Sequence, residues 1–310
     1  MKSNAVIRII IWSIVLVFLI GIFAGLMIEE RYMRDYTPAE TAIPVPLATT
    51  PEEILPNEET LILPADTIRE MEIEWVSGDI VILATDTEYI SISESDVTDE
   101  EYSMVFQTVG EKLEIRFCVD RLMPDLGISH IGDLNKDLYI EVPKGWDGHS
   151  IEINAASVNV EMYNITLQEM DLDGADSTCD FQNCHFSDLD IDTANCNVYY
   201  QGTIGTLDFD AASASFTGDL QNTPSRIDMD SMSGKLDIAL PEDCGFTLTM
   251  DGMSSRLSSD FEGTSMKNGS HVYGDGRCRI NVDGMDCDVT IRKLETYFIY
   301  PTIDPTEETR

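Results

Sequence analysis

Ile151-Glu-Ile-Asn-Ala-Ala-Ser157 begins a phrase that recurs along this chain with small changes. The next copies are Met170-Asp-Leu-Asp-Gly-Ala-Asp176, Leu189-Asp-Ile-Asp-Thr-Ala-Asn195, Leu207-Asp-Phe-Asp-Ala-Ala-Ser213 and Ile227-Asp-Met-Asp-Ser-Met-Ser233. These five copies start 18 to 20 residues apart, and two looser copies start at Leu248 and Ile280. Self-similarity at such a period is typical of solenoids, in which each turn packs only on its neighbours.

We number each copy from its second residue, position 0, which is Glu152 in the first copy and Asp171 in the second. Positions −1, +1 and +8 are apolar in all seven copies, +2 is polar, +3 is small, and +4 is alanine or methionine. Apolar residues at every second position predict a strand with one buried face. The small +3 residue predicts a corner between two strands of one turn. The sequence therefore predicts an all-β fold, a parallel β-solenoid with turns of about 19 residues, and we expect +1, +4 and +8 to point inward.

Aspartates recur at two positions of the repeat. They are Asp171, Asp190, Asp208 and Asp228 at position 0, and Asp173, Asp192, Asp210 and Asp230 at +2, where Asp251 and Asp283 continue the series. Stacked strands would place like charges about 4.8 Å apart, where each pair repels by roughly 3–4 kcal/mol at an effective dielectric of 20. A solvated face could tolerate this, or Ca²⁺ could bind between turns, because carboxylate oxygens suit that ion. The four aspartates at position 0 and the first four at +2, from Asp171 to Asp230, are the candidate Ca²⁺ ligands, and the sequence indicates no other cofactor.

The formal charge of the 310-residue chain is −38. Such a surface repels nucleic acid and anionic lipid headgroups, and it attracts cations and basic partners. We therefore expect no nucleic-acid partner.

The N-terminal segment predicts a membrane anchor. Residues 1–8 are short and basic, and residues 9–28 contain one polar side chain, Ser13. Twenty residues at 1.5 Å each span about 30 Å, the thickness of a bilayer core. Lys2 and Arg8 place the N-terminus in the cytoplasm. The prediction is a single-pass protein of the cell membrane, with the lipid bilayer as the partner of residues 9–28 and most of the chain outside; a cleaved signal peptide is the alternative.

The remaining boundaries follow from composition. Residues 29–67 hold half of the twelve prolines and several glutamates, which predicts an extended extracytoplasmic linker. Residues 68–295 form the predicted solenoid domain, and residues 296–310 a polar tail. Within the domain we expect a hairpin over 102–117, a flanking loop over 120–136, and a hairpin over 258–277 that projects from one corner.

Four metal-binding side chains are close in sequence: Cys179, Cys184, His185 and Cys196. Cysteine and histidine together suggest zinc, but this spacing matches no closed zinc site. Cys179 occupies the apolar +8 position, which favours a small buried residue. The seven cysteines are irregularly spaced and odd in number, which does not indicate a disulfide scaffold.

Catalytic patterns are weak. Glycoside hydrolysis needs two carboxyl groups in different environments, whereas every turn repeats the same pair. The sequence has no Ser-His-Asp signature, P-loop or glycine-rich nucleotide fingerprint. Aromatic residues are scattered, and Phe209 and Phe216 fall in inward columns. We therefore expect a protein that is not an enzyme.

Three stretches resemble a known family: Trp75-Val-Ser-Gly-Asp-Ile-Val-Ile82, Leu138-Tyr-Ile-Glu-Val-Pro143, and Ile227 to Gly234. They are similar to the bacterial adhesin-type β-strand-repeat family, a domain of unknown function found in membrane-anchored envelope proteins. The resemblance covers residues 68–293 and implies an outward-facing parallel β-solenoid without catalytic residues. The leading hypothesis is an envelope protein that contacts wall polymer or another envelope protein. The alternatives are an extracellular hydrolase or lyase acting on polysaccharide and a membrane-associated stress-signalling accessory protein.

Overall fold

The computed structural model describes residues 60–95, 103–118, 135–262, 265–267 and 270–294. This part of the chain is all-β apart from one short 3-10 turn, as the sequence predicts. Its described residues include no helix that is long and apolar enough to cross a membrane. The predicted transmembrane helix at 9–28, most of the linker, most of the loop at 120–136 and the tail at 296–310 lie outside the described residues.

Fourteen strands and the 3-10 turn follow one another in the described residues. The N-terminal elements are β1 (Leu61–Pro64), the 3-10 turn (Ala65–Thr67), β2 (Glu70–Thr85), β3 (Tyr89–Glu94), β4 (Val105–Val109), β5 (Lys112–Arg116) and β6 (Leu138–Pro143). The repeats form β7 (Ser150–Tyr163), β8 (Thr166–Leu220) and β9 (Arg226–Leu240). The C-terminal elements are β10 (Phe246–Gly252), β11 (Arg256–Ser259), β12 (Ser265–Lys267), β13 (Ser270–Tyr273) and β14 (Cys278–Lys293). Strand pairing thus begins at Leu61, earlier than the boundary at residue 68 that the sequence indicates.

The central strands stack in parallel and in repeat register, which makes the fold solenoid-like. Neighbours run in the order β2, β7, β8, β9, β14, β10. Position 0 of each copy faces position 0 of the next, as in Glu152 with Asp171 and Asp208 with Asp228. The 55-residue β8 passes through consecutive turns without interruption. Identical positions therefore form straight columns on the stack.

The last two copies do not stack in sequence order. The strand β14 pairs with β9 on one side, where Asn281 faces Asp228, and with β10 on the other, where it faces Thr249. The copy that comes seventh along the chain is therefore sixth in space. The hairpin predicted over 258–277 does not project from a corner as expected. Its strand β13 pairs antiparallel with β10 and with β12, and so extends the sheet.

Both ends of the stack are capped by antiparallel strands. At the N-terminal end, β5 and β6 pair with the two halves of β2, and β4, β3 and β1 add antiparallel neighbours. The β4–β5 pair confirms the predicted hairpin, and Gly110 in its turn has a φ of 67°. Capping covers backbone groups that a parallel stack would otherwise expose at its edge.

The side chains that point into the core at the corner are not the ones that the sequence predicts. Positions +1 and +3 point inward, +4 and +5 face solvent, and burial resumes at +6 and +8. Position +4 also has no strand partner, because pairing skips from Ala155 to Ser157 and from Gly284 to Asp286. The +4 prediction was wrong because a bend turns two successive side chains outward. The +3 and +6 side chains meet inside the bend, which explains why both are small.

The inner columns form one apolar core. Cys179 at +8 is fully buried, as predicted, and so are Phe209 and Phe216. Edge-to-face contacts join Phe181, Phe186 and Tyr200 at ring distances of 5.6 to 6.1 Å. Full burial of each such ring stabilises the fold by about 1.5–3 kcal/mol relative to its exposure.

Candidate functional site: two carboxylate columns

The eight predicted aspartates lie in two neighbouring columns on one outward face of the stack. Strand alternation places positions 0 and +2 on the same face, and the parallel register aligns them across β7, β8 and β9. In the first column the acidic series begins at Glu114 and Glu72 in the cap, and it ends at Asn281 and Thr249.

Basic and amide side chains offset the negative charge at both ends of the first column. Lys112 pairs with Glu72 at the N-terminal end. Arg226 lies 2.8 Å from Asp228 and 3.4 Å from Asp208, and the Asn281 amide donates to Asp228 at 2.7 Å. Within the described residues no ion pair reaches Asp171 or Asp190, which occupy the middle.

The second column has no such compensation. It contains six successive aspartates, in the spatial order Asp173, Asp192, Asp210, Asp230, Asp283 and Asp251. Asp283 precedes Asp251 because β14 lies between β9 and β10. Among the described residues, none of the six takes part in an ion pair. In the described residues, therefore, no ion pair offsets the repulsion within this column.

Burial and mutual repulsion change the acidity of these groups. Partial burial, with repulsion from Glu169, Asp190 and other carboxylates, raises the pKa of Asp171 to about 6. The same causes raise the pKa of Asp210 to about 6. They also raise the pKa of Asp173, Asp190, Asp230 and Asp283. Some of these carboxyl groups are thus protonated in mildly acidic solution.

The columns do not build a closed metal cage. Across the part of the chain that the structure describes, no group of three His, Cys, Asp or Glu side chains converges on a common point. A ladder of single carboxylates from successive turns is a different arrangement, and Ca²⁺ binding along it stays a prediction.

The cysteines are core residues. All seven are buried. Burial raises the pKa of Cys184 to about 12, and the neighbouring His185 ring contacts the Thr203 hydroxyl at 2.9 Å. A hydrogen bond with Cys278 lowers the pKa of Cys244 to about 7.

A buried lysine in the N-terminal cap was not foreseen. The Lys136 ammonium contacts Glu94 and the Phe117 carbonyl, and it lies 4.8 Å from the Trp75 ring centre and 4.3 Å from that of Phe117. Burial lowers its pKa. Gly78 allows the close approach of the Lys136 carbonyl, since a Cβ there would lie 2.0 Å from that oxygen. No local pattern around Lys136 indicates burial.

Two aromatic side chains line one open groove at the same end, although the sequence suggested that aromatics are scattered. Tyr89 and Trp146 lie there with Asp66, Arg69 and Glu88. The Trp146 indole N–H donates to the Ile68 carbonyl at 2.7 Å, which fixes the ring. Trp146 and Tyr89 are 57 residues apart in the chain, so only the cap brings them together.

The Toastrack DUF4097 family matches residues 57–292, most of the chain. This chain belongs to that family. Its described strands and the family match cover the same region. No curated protein matches the chain.

Three solved structures are similar to this chain at low sequence identity. One is a candidate adhesin from Bacteroides fragilis, with 11% identity and a TM-score of 0.46, covering 76% of this chain and 98% of its own. Another is a candidate cell adhesion protein from Clostridium sporogenes, with 12% identity and a TM-score of 0.34, covering 76% and 99%. The third is a candidate lipid binding protein from Parabacteroides distasonis, with 14% identity and a TM-score of 0.33, covering 76% and 97%.

Proposed function

We propose that this Toastrack family member is a non-enzymatic envelope protein whose acidic β-stack contacts wall polymer or protein partners. Residues 9–28 anchor it in the cell membrane, and the linker predicted at residues 29–67 connects this anchor to the repeat domain. The observation that supports this proposal most is the column of six aspartates without ion pairs in the described residues. A ligand with several cationic groups would relieve its repulsion, and a regular stack offers them evenly spaced partners.

The alternative of a polysaccharide-cleaving enzyme has less support. Such enzymes place two carboxyl groups in different environments so that one is an acid and the other a base. Here burial and like-charge repulsion raise the pKa of carboxyl groups in successive turns, such as Asp173, Asp190 and Asp230, and not of a single pair. The columns therefore favour repeated weak contacts over one reactive pair.

Co-sedimentation with insoluble cell-wall material tests the proposal. The full-length chain, purified in detergent, should sediment with the walls, and salt should reduce binding because it screens exposed charges. Replacing Asp192, Asp210 and Asp230 by Asn should weaken binding. The matched control replaces three exposed aspartates outside the columns by Asn, namely Asp176, Asp243 and Asp286.

Two results would contradict the proposal. One is equal wall binding by the two triple variants. The other is release of soluble sugar from the walls by the wild-type chain, which would establish the enzyme alternative. If basic proteins extracted from the envelope bind and washed polymer does not, the partner is a protein, and the stress-signalling alternative gains support.

The groove beside Trp146 favours polymer over protein, because aromatic faces pack well against sugar rings and Tyr89 is 51% exposed there. Tyr89→Ala should therefore weaken binding to washed walls. Tyr199→Ala is the matched control, since Tyr199 is 55% exposed on the second strand of its turn, away from the groove. Equal binding by both variants would remove the groove from the proposal.

A further inference from the structure

Three exposed methionines stand at one corner of the stack. They occupy position +4, the residue at the bend that has no strand partner and faces solvent. Met232 is 51% exposed, Met285 44% and Met253 70%. The four preceding copies have alanine at this position, so the thioethers are confined to the C-terminal end.

The three methionines are neighbours in space although not in sequence order. Ser231 faces Gly284 across β9 and β14, and Gly284 faces Gly252 across β14 and β10. Each methionine directly follows one of these residues, so Met285 lies between the other two. The Ser254 amide donates to the Met285 carbonyl at 3.1 Å, which holds the two corners together. Successive corners are about 4.8 Å apart.

This spacing lets three thioether sulfurs meet at one point. Methionine is unbranched and has three rotatable bonds, so the outer two side chains can lean toward Met285. Thioethers are soft, neutral ligands that select Cu(I) among biological metals. The aspartates Asp230, Asp283 and Asp251 lie two positions earlier on the same three strands, where their negative field attracts a cation without ligating it.

We propose that Met232, Met285 and Met253 form a binding site for a soft monovalent cation, Cu(I). The insertion of β14 between β9 and β10 makes Met285 the middle residue of the three. In sequence order, Met253 would stand in the middle and would follow Met232 directly. Metal binding by thioethers releases no proton, because a thioether sulfur carries none. This distinguishes the site from thiolate or imidazole sites, whose metal affinity decreases as the pH is lowered.

Titration with Ag⁺, a redox-stable soft monovalent probe, tests the proposal. The full-length chain in chloride-free nitrate buffer should bind one Ag⁺, measured by native mass spectrometry and by competition with a coloured chelator. Affinity should fall only slightly from pH 7 to pH 5, because the thioethers take up no proton and only the negative field of the neighbouring aspartates weakens. Met285→Leu should weaken it by at least about tenfold, since even changes beyond the ligands of a metal cost 10–100-fold.

Two further variants make the test decisive. Met232→Leu should weaken binding as Met285→Leu does, and a thermal melt of each shows whether it folds. Met104→Leu, at a partly buried methionine in the N-terminal cap, should bind Ag⁺ like the wild type. The proposal is overturned by absence of Ag⁺ binding at micromolar protein, by unchanged affinity in both corner variants, or by a steep fall in affinity from pH 7 to pH 5, which would indicate binding by thiols.

Discussion

Gly284 of β14 packs directly against Ser231 of β9, 53 residues earlier in the chain. A Cβ on Gly284 would lie 2.3 Å from the Ser231 carbonyl oxygen and 2.4 Å from the Cys287 sulfur. The corner of this turn therefore closes only around a residue without a side chain.

Gly284→Ala should consequently destabilise the fold. The backbone oxygen cannot move away without breaking the ladder, and overpacking of this kind costs about 1–3 kcal/mol. Asp286→Ala, two residues away on the exposed side, should change stability by less than about 0.5 kcal/mol. Denaturant unfolding of both variants measures the difference, and equal stabilities would show that the corner is looser than described.

The acidic columns should make stability depend on pH in an unusual direction. The pKa of Asp171 is about 6 in the folded state, against 3.8 for an ordinary aspartate. The folded state therefore binds more protons between these values. The stabilising contribution of Asp171 is fully present below pH 3.8 and is lost as the pH rises through about 6.

Asp171→Asn isolates this effect. At pH 8 the variant should be more stable than the wild type by about 1 kcal/mol, a value that allows for screening by solvent. At pH 4 the difference should vanish, because the wild-type carboxyl is then protonated. Unfolding free energies at the two pH values check this. A variant that is less stable than the wild type at pH 8 would contradict the claim that Asp171 is repelled by its neighbouring carboxylates.

Calcium should stabilise the stack if it binds along the columns. The thermal midpoint should be higher in Ca²⁺ than in EDTA at matched ionic strength, because only the folded state aligns the aspartates. The Asn triple variant at Asp192, Asp210 and Asp230 should lose most of this difference. Equal thermal midpoints for the wild-type chain with and without Ca²⁺ would show that the columns are a solvated acidic face that does not bind the ion.

The cysteines should resist modification in the folded protein. All seven are buried, including Cys244, whose pKa of about 7 would otherwise make it reactive. Brief treatment with iodoacetamide at pH 7.5 should add no mass to the native chain, and the same treatment in denaturant should add seven adducts. Rapid native labelling of Cys244 would mean that the start of β10 opens readily.

The repeat predicts much of this fold because its positions have simple physical meanings. Apolar residues at +1 and +8, such as Phe209 and Phe216, belong to inner columns, and aspartates at 0 and +2 belong to outer ones. The direction of +4 could not be predicted, because alanine is common both inside and at exposed bends. The methionines at that position led to a prediction of burial, but the side chains of Met232, Met253 and Met285 are exposed.

Other features depend on contacts that no local pattern encodes. The strands β10 and β14 have the same alternation, so either could pack on β9. In the structure, β14 lies between β9 and β10, and β13 pairs antiparallel with β10. Lys136 is buried by Trp75 and Phe117, which are distant in sequence. The groove between Tyr89 and Trp146 likewise arises from the cap.

The order of the last strands is the central claim, because it determines which residues are neighbours at the end of the six-aspartate column and which methionine lies in the middle of the corner. Paired cysteine substitutions test it directly. In the described order, Asp228→Cys with Asn281→Cys places two thiols on adjacent strands, close enough to form a disulfide. Asp228→Cys with Thr249→Cys places two thiols two strands apart, too far for a disulfide. After mild oxidation of the folded protein, peptide mapping should find the 228–281 crosslink and no 228–249 crosslink. Crosslinking of 228 to 249 in its place would mean that β10 packs on β9 and would contradict the account.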